Sequence, residues 1–418
     1  MKLLTAVCTL DKGGTQRAAQ NFAEAYRALG HDSRIVYTIE GGTRASELVD
    51  RGVPVYDLGN AGDRARLAAW DPELLHLHSH RVSEEAFRAL RSLAPRAPVV
   101  ETNVFSIPSP WAGELRASFQ LAGWCQFLYQ QRCRGAHPSV VVPYPVRCDG
   151  FHPVPEQERL AFRERWGLGR EHRVLGRVGQ AFNSKWSPWL LEVFEELRRG
   201  DPLLRLIMIN PPPEMLARRE VSPYRGDVVV IDELRGDAAL SACYSAMDVF
   251  LHISRWGESF GMVLAESLLC ETPVVTLATP WADNAQGEVV GDGVGGHVAR
   301  RVSQLTPLVR QLLDNPKQRA AMGQRGRERV LQRFDHLAVA RAALARAMVG
   351  TPGRSAVPAG PAELPAASGF PWYCYRLLAR VPQGLRLLQY TSGFRPWRLL
   401  LSAAWRRLLG RLPAGTQP

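Results

Sequence analysis

Glu258 and Glu266 bracket a turn of small residues in the segment Glu258-Ser259-Phe260-Gly261-Met262-Val263-Leu264-Ala265-Glu266. If a helix starts after Gly261, its first N–H groups have no carbonyl partner and its dipole favours an anion such as a pyrophosphate. Ser259 and Gly261 are small enough to let that anion reach the amides of Phe260, Met262 and Val263. Glu258 precedes the first turn and would stand beside whatever the anion carries. Glu266 is two turns in, and its side chain leans back toward the helix start, where it can accept hydrogen bonds from hydroxyl groups. The plainer alternative is a pair of solvated acids on a surface helix. Against it stand the apolar runs on either side, Asp248-Val249-Phe250-Leu251-His252 and Pro273-Val274-Val275-Thr276, which place the segment at a strand–helix junction inside a domain.

Other residues of suitable type lie elsewhere in the chain. Gly13-Gly14 follows the first apolar run, and Lys185 stands in Asn183-Ser184-Lys185-Trp186. His76, His78 and His80 alternate, so a strand would show all three on one face. No carboxylate stands at ligand spacing beside them, so they suit a polar cleft wall better than a metal site. The seven cysteines form no C-x-x-C pair and no zinc-like cluster, and their odd number suits buried thiols better than bridges. The chain contains no Asp-x-Asp pair to hold a divalent ion on a diphosphate. We expect no metal and no cofactor.

The elements that must carry these groups alternate. Leu3–Val7 reads as a strand, followed by a helical stripe of Ala18, Phe22, Ala25, Tyr26 and Leu29 that Gly30 ends. Ser33–Tyr37, Leu74–His78 and Pro98–Thr102 are further strands. Prolines between Pro143 and Pro155 break the rhythm, which restarts at Val174–Val178 and continues through Leu206–Ile209, Val228–Ile231, Asp248–His252 and Pro273–Thr276. Repeated strand–helix units imply parallel sheets with right-handed crossovers. The expected architecture is α/β, with two doubly wound Rossmann-like domains facing a central cleft. Residues 1–150 form the first, 151–350 the second, 351–368 a Pro/Ala linker and 369–418 a C-terminal helical tail.

A chain of 418 residues with 46% hydrophobic content can bury two ordinary cores. No apolar stretch approaches the roughly 18 residues of a membrane span, and the reading is a cytoplasmic chain. Of the net charge of +12, eight units fall between Gly369 and Pro418, where eight arginines meet no acid. They are interleaved with Leu and Trp, which favours an anionic membrane surface over nucleic acid. Helical spacing puts Trp397, Leu401, Ala404, Leu408 and Leu412 on one stripe, so the tail could hold the protein on the cytoplasmic face of the inner membrane. The same stripe could instead pack back on the first domain.

Taken in order, these segments resemble the retaining GT-B glycosyltransferases of family 4 over about residues 1–345. The E-x7-E segment carries the resemblance, supported by Gly13-Gly14-Thr15-Gln16-Arg17, Pro143-Tyr144-Pro145-Val146, Gly287-Glu288-Val289-Val290 and Gly295-Gly296. It implies transfer of a hexose from a UDP- or GDP-linked donor to a saccharide or lipid-linked acceptor with retention of configuration, as in cell-surface polysaccharide or lipopolysaccharide synthesis. It further implies that Glu266 holds the ribose, Glu258 the donor sugar, and Ser259 to Val263 with Gly13 and Gly14 the diphosphate region. The family's Lys corresponds to Lys185. Its Arg has Gln180 at the usual spacing, so Arg177 is assigned as substitute, with a surface ion pair as the alternative. The family's first-domain histidine is replaced by Asn103, whose amide can bond a sugar hydroxyl but cannot share a proton. These two departures keep a non-catalytic nucleotide-sugar-binding protein in view, and a sugar-nucleotide epimerase of the same fold is the other alternative.

Overall fold

The computed structural model describes residues 1–133, 137–280 and 282–349. The linker and tail, with the arginines and tryptophans discussed above, lie outside the described residues, as does Trp281.

Seven strands form a first sheet: β1 (Lys2–Thr9), β2 (Asp32–Glu40), β3 (Val55–Asp57), β4 (Leu74–His78), β5 (Val99–Asn103), β6 (Leu115–Gln120) and β7 (Ser139–Val141). Their order is β3-β2-β1-β4-β5-β6-β7. Six more form a second sheet: β8 (Arg173–Val178), β9 (Leu204–Ile209), β10 (Val228–Ile231), β11 (Val249–His252), β12 (Val274–Leu277) and β13 (Gly296–Ala299). The second order is β10-β9-β8-β11-β12-β13, and every pairing in both sheets is parallel. Strand order reverses between β1 and β4 in the first sheet and between β8 and β11 in the second. In open parallel sheets the crevice beyond such a reversal is where ligands bind.

The sequence pattern finds nine of these strands and misses four. β3 and β7 are three residues long, β6 reads Leu-Arg-Ala-Ser-Phe-Gln with polar residues on its buried face, and β13 opens on glycine. None of the four presents an apolar run longer than the three valines Val140–Val142 at β7. The second sheet therefore has six strands, not the five expected from sequence.

The chain passes between the two sheets twice. It first crosses after β7, along Pro143–Pro155. It returns at Asp335, between the helices Pro316–Phe334 and His336–Val349. The crossings lie side by side, with Val146 N–H donating to Phe334 O at 2.8 Å and His336 N–H to Val146 O at 3.0 Å. Val339, Ala340, Ala343 and Ala347 of the final helix then bury against Leu3, Phe22, Val100 and Phe119. That helix, grouped by sequence order with the second half, thus covers the first sheet. Among the described residues no helix is long and apolar enough to cross a membrane.

Candidate active site

The loops after β8 and β11, at the reversal of the second sheet, carry Lys185 and Glu258. The Lys185 ammonium lies 2.7 Å from Glu258 Oε2, and His252 Nε2, at the end of β11, lies 3.3 Å from Oε1. Burial by itself would raise the Glu258 pKa, but Lys185 and His252 outweigh it and hold the carboxyl well below the usual carboxylate range. Burial and then the nearby Arg177 push His252 down to about 4. Near neutral pH the arrangement is therefore a carboxylate between an ammonium and a neutral imidazole.

The helix Met262–Leu269 begins directly beyond, capped by Gly261 at φ +91. A side chain at that φ is strained, and a Cβ there would fall 2.7 Å from Leu264 Cδ1. Leu264 N–H already bonds Gly261 O, whereas Met262 and Val263 open the helix with no carbonyl one turn back. From the first domain, the helix Gly14–Ala28 brings its own N-terminus to the same place. A Cβ on Gly14 would stand 3.8 Å from Met262 Cγ and 3.9 Å from Tyr144 Cε2. Two helix starts, one from each sheet, thus come close together, and each favours an anion at its N-terminus.

Glu266 lies farther along the same helix, 8% exposed, and accepts a 3.0 Å hydrogen bond from Tyr244 OH. Burial raises its pKa against the opposing pull of Arg17. Arg17 itself donates to Asp237 Oδ1 at 2.7 Å, and the negative charges of Asp237 and Glu266 raise its pKa despite burial. Glu258 and Glu266 are accordingly in different electrostatic settings. One is paired with a lysine at the loop tip, while the other is held beneath by a tyrosine and faces a cation of the opposite domain.

Other sequence candidates are placed less simply. Asn103 ends β5, where its amide donates to Ile107 O at 2.9 Å and its Oδ1 is buried without a partner among the described residues. Phe105 and Ser106, just beyond, have φ of 65 and 51. This geometry sends Phe105 N–H to Ser259 Oγ at 3.3 Å and Ser106 Oγ to Asp283 Oδ1 at 3.1 Å, across the domain boundary. Asp283 also accepts from Ser259, while Glu288 accepts the N–H groups of Gly123 and Trp124 at 2.9 and 2.8 Å. Nothing local in the run 279–286 shows that its acid, Asp283, reaches a serine 177 positions away. His252, Tyr244 and Asp283 were also not singled out. His252 was visible only as the end of an apolar strand.

Two sequence readings change. His76 and His78 do not wall the cleft. His76 is buried between Tyr26 OH at 2.9 Å and Thr102 Oγ1 at 2.8 Å, beside the Phe22 ring, and His78 is fully buried next to it. Burial pushes His76 down to about 3 and His78 well below its ordinary value. The apolar helix covering that face of β4 turns them into core residues. His80 lies past the strand, against Phe105. Arg177 does not line the diphosphate space either, nor does it make a surface ion pair. It is 1% exposed and donates to the carbonyls of Val178 and Lys185. Gln180 stands closer to the glycine loop, its amide 3.4 Å from Lys12 O.

Two facing Rossmann-like domains with this strand order are the GT-B fold. HepE of Anabaena in complex with UDP-glucose superposes with TM-score 0.68 over 84% of this chain and 100% of that one, at 17% identity. A glycosyltransferase from Rickettsia africae superposes with TM-score 0.67 over 83% and 97%, at 15% identity. Residues 158–329 match the family described as Glycosyl transferases group 1. Among curated relatives, a D-inositol 3-phosphate glycosyltransferase of Kineococcus radiotolerans is 33% identical over 50% of this chain and 52% of its own length. A GDP-mannose-dependent alpha-(1-6)-phosphatidylinositol monomannoside mannosyltransferase of Mycolicibacterium smegmatis is 30% identical over 46% and 52%. A phosphatidyl-myo-inositol mannosyltransferase of Mycobacterium leprae is 25% identical over 68% and 79%. The chain spans about half the length of the first two.

Proposed function

We propose that this protein transfers a hexose from a nucleoside diphosphate sugar to a hydroxyl of a saccharide or lipid-linked acceptor, with retention of configuration. The observation that carries the reading is the convergence of two helix N-termini, Lys185 and Glu258 at the facing strand-order reversals. Glu266 sits about one turn into the second of these helices, on the side of a proposed nucleoside. In the proposed reaction the bond from the anomeric carbon to the diphosphate oxygen breaks and the bond to the acceptor oxygen forms on the same face. The acceptor proton passes to the departing phosphate. Charge grows on that phosphate as the bond opens, so Lys185 and the helix amides stabilise the transition state more than the ground state. Glu258 orients the sugar. Phe182 and Trp256, 60% and 40% exposed on the loops that carry Lys185 and Glu258, supply apolar surface for an acceptor ring.

UDP-glucose is the ligand of HepE, and GDP-mannose is named in the M. smegmatis relative. Both donor classes therefore belong in a thermal-shift panel of nucleotide sugars. A ligand at 100 times its Kd should add about 2.7 kcal/mol, and the stabilising donor should release free sugar slowly without acceptor. Isomerised nucleotide sugar would favour the epimerase reading, and binding without any turnover the non-catalytic one. Because Lys185 and the helix amides carry the charge neutralisation, turnover should persist in EDTA. Loss restored by Mg²⁺ or Mn²⁺ would contradict that assignment.

The acceptor is proposed to be membrane-borne, in glycolipid or cell-surface polysaccharide synthesis, and the arginine-rich residues 369–418 to hold the chain at an anionic surface. Each arginine there is worth about 1 kcal/mol. At low salt the full chain should float with anionic liposomes and a chain ending at Gly350 should not. Equal flotation of both would remove the tail from this role.

A further inference from the structure

Arg177 is a buried cation with no carboxylate in contact with it among the described residues. Its side chain leaves β8, donates through Nη1 to Val178 O and through Nη2 to Lys185 O at 2.6 Å, and lies 5.0 Å from the Trp186 ring centroid. Phe250 of β11 lies on another side at 6.0 Å. Trp186 in turn donates to Gln180 O at 2.9 Å, so the loop between Val178 and Trp186 is pinned by two side chains from below. Gly179 leaves the room for this, since a Cβ there would stand 3.1 Å from Trp186 Nε1 and 3.3 Å from Arg177 Nη1. Taking a guanidinium out of water without a partner charge costs several kcal/mol. A methionine or leucine would pack between two aromatic rings at no such cost, so packing alone does not account for the charge.

The neighbouring charges give the charge a task. Glu258 is only slightly exposed and bonded to Lys185 in the structure. When Lys185 turns to a diphosphate, Glu258 would be left as a buried carboxylate without its counter-ion. Lys185 from the loop after β8 and His252 from β11 touch its carboxylate, Gln286 bonds its backbone, and the charge of Arg177 from β8 acts on both Glu258 and His252 without direct contact. Gln286 uses its Oε1 to accept the Glu258 N–H at 3.2 Å, and Asp283, from the same segment after β12, is itself an acid. Arg177 and Lys185 are the permanent cations of this group.

We propose that Arg177 is a positioning residue that fixes the Lys185 loop and serves as a standing counter-charge for Glu258, leaving Lys185 free to exchange that carboxylate for a donor diphosphate. This deepens the transferase reading and rests on it for the identity of the diphosphate. Its electrostatic core is measurable without any substrate. With Arg177 in place, Glu258 stays ionised even when Lys185 is removed. With both cations gone, the Glu258–His252 pair retains a proton in the folded state that the unfolded chain has released. Stability is then fully present at low pH and lost as pH rises through the raised pKa of the pair.

The test is the thermal unfolding profile from about pH 5 to 8 for Lys185→Met, Lys185→Met with Arg177→Met, and Lys185→Met with Arg177→Lys, all as full chains without ligand. The buried neutral His76 and His78 make every variant lose stability as pH falls below the ordinary histidine value of 6.5; above it the first and third are expected to be flat and the second to lose several degrees toward pH 8. If the second fails to fold, adding Glu258→Gln is expected to restore folding, because no carboxylate remains to be ionised. Identical profiles for the first two variants, or no rescue by Glu258→Gln, would overturn the proposal. Titration of the unaltered protein with UDP and GDP runs beside it. Absence of binding there would sink the transferase reading while leaving the pH result as it stands.

Discussion

Lys185→Met is expected to lower turnover with the preferred nucleotide sugar by about 10²- to 10³-fold, the usual consequence of removing one preorganised charge from a developing anion. Donor KM should change far less. In the resting site the lysine is bound to Glu258 rather than held free for the substrate, so part of its ground-state attraction for the diphosphate is already spent on that pair. Steady-state kinetics with saturating acceptor separate the two effects. A variant whose KM rises while turnover holds would make Lys185 a docking group and move the transition-state charge elsewhere. Circular dichroism should show an unchanged fold, because the ammonium is partly exposed at the cleft and anchors no core element.

Glu266→Ala is expected to weaken binding of the free nucleotide by about 1.5–3 kcal/mol, the range for a lost charged hydrogen bond, or roughly 10- to 150-fold in Kd. Glu258→Ala should leave nucleotide affinity nearly intact and lower turnover instead. The distinction follows from their settings. Glu266 is supported from beneath by Tyr244 and lies across from Arg17, away from the loop tip, whereas Glu258 is at the tip with Lys185. Calorimetry with UDP and GDP on both variants decides the matter. Equal losses of affinity would show that the two carboxylates do not divide the donor between nucleoside and sugar.

Much of this site could be read from the sequence because its parts are local. Glu258, the small turn and Glu266 fall within one strand–helix junction, and Lys185 and the Gly13–Gly14 loop follow recognisable apolar strands. What could not be read is contact between segments distant in the chain. Asp283 shows its role only when Ser106 reaches it, and Ser106 does so through a backbone conformation that no residue type announces. Alternation correctly put His76 and His78 on one face of β4. Whether that face meets solvent or a helix depends on Phe22 and Tyr26, some fifty residues earlier. Arg177 was legible as a cation near the right place, yet its direction depends on Trp186 and Phe250 drawing the guanidinium inward.

The paired crossings at Val146 and Phe334–His336 have a mechanical consequence. A single connecting strand would let the two halves twist, swing and slide. Two strands bonded side by side through Val146 resist twist and slide, because either motion shears the bonds to Phe334 and His336. Bending about the line of the pair shears neither bond, though it would part the contacts of Ser106 with Asp283 and of Gly123 and Trp124 with Glu288. A bend along that line would bring the glycine loop of one half and the lysine and glutamate of the other back in the same register, because the two bonds at Val146 fix the axis about which they meet.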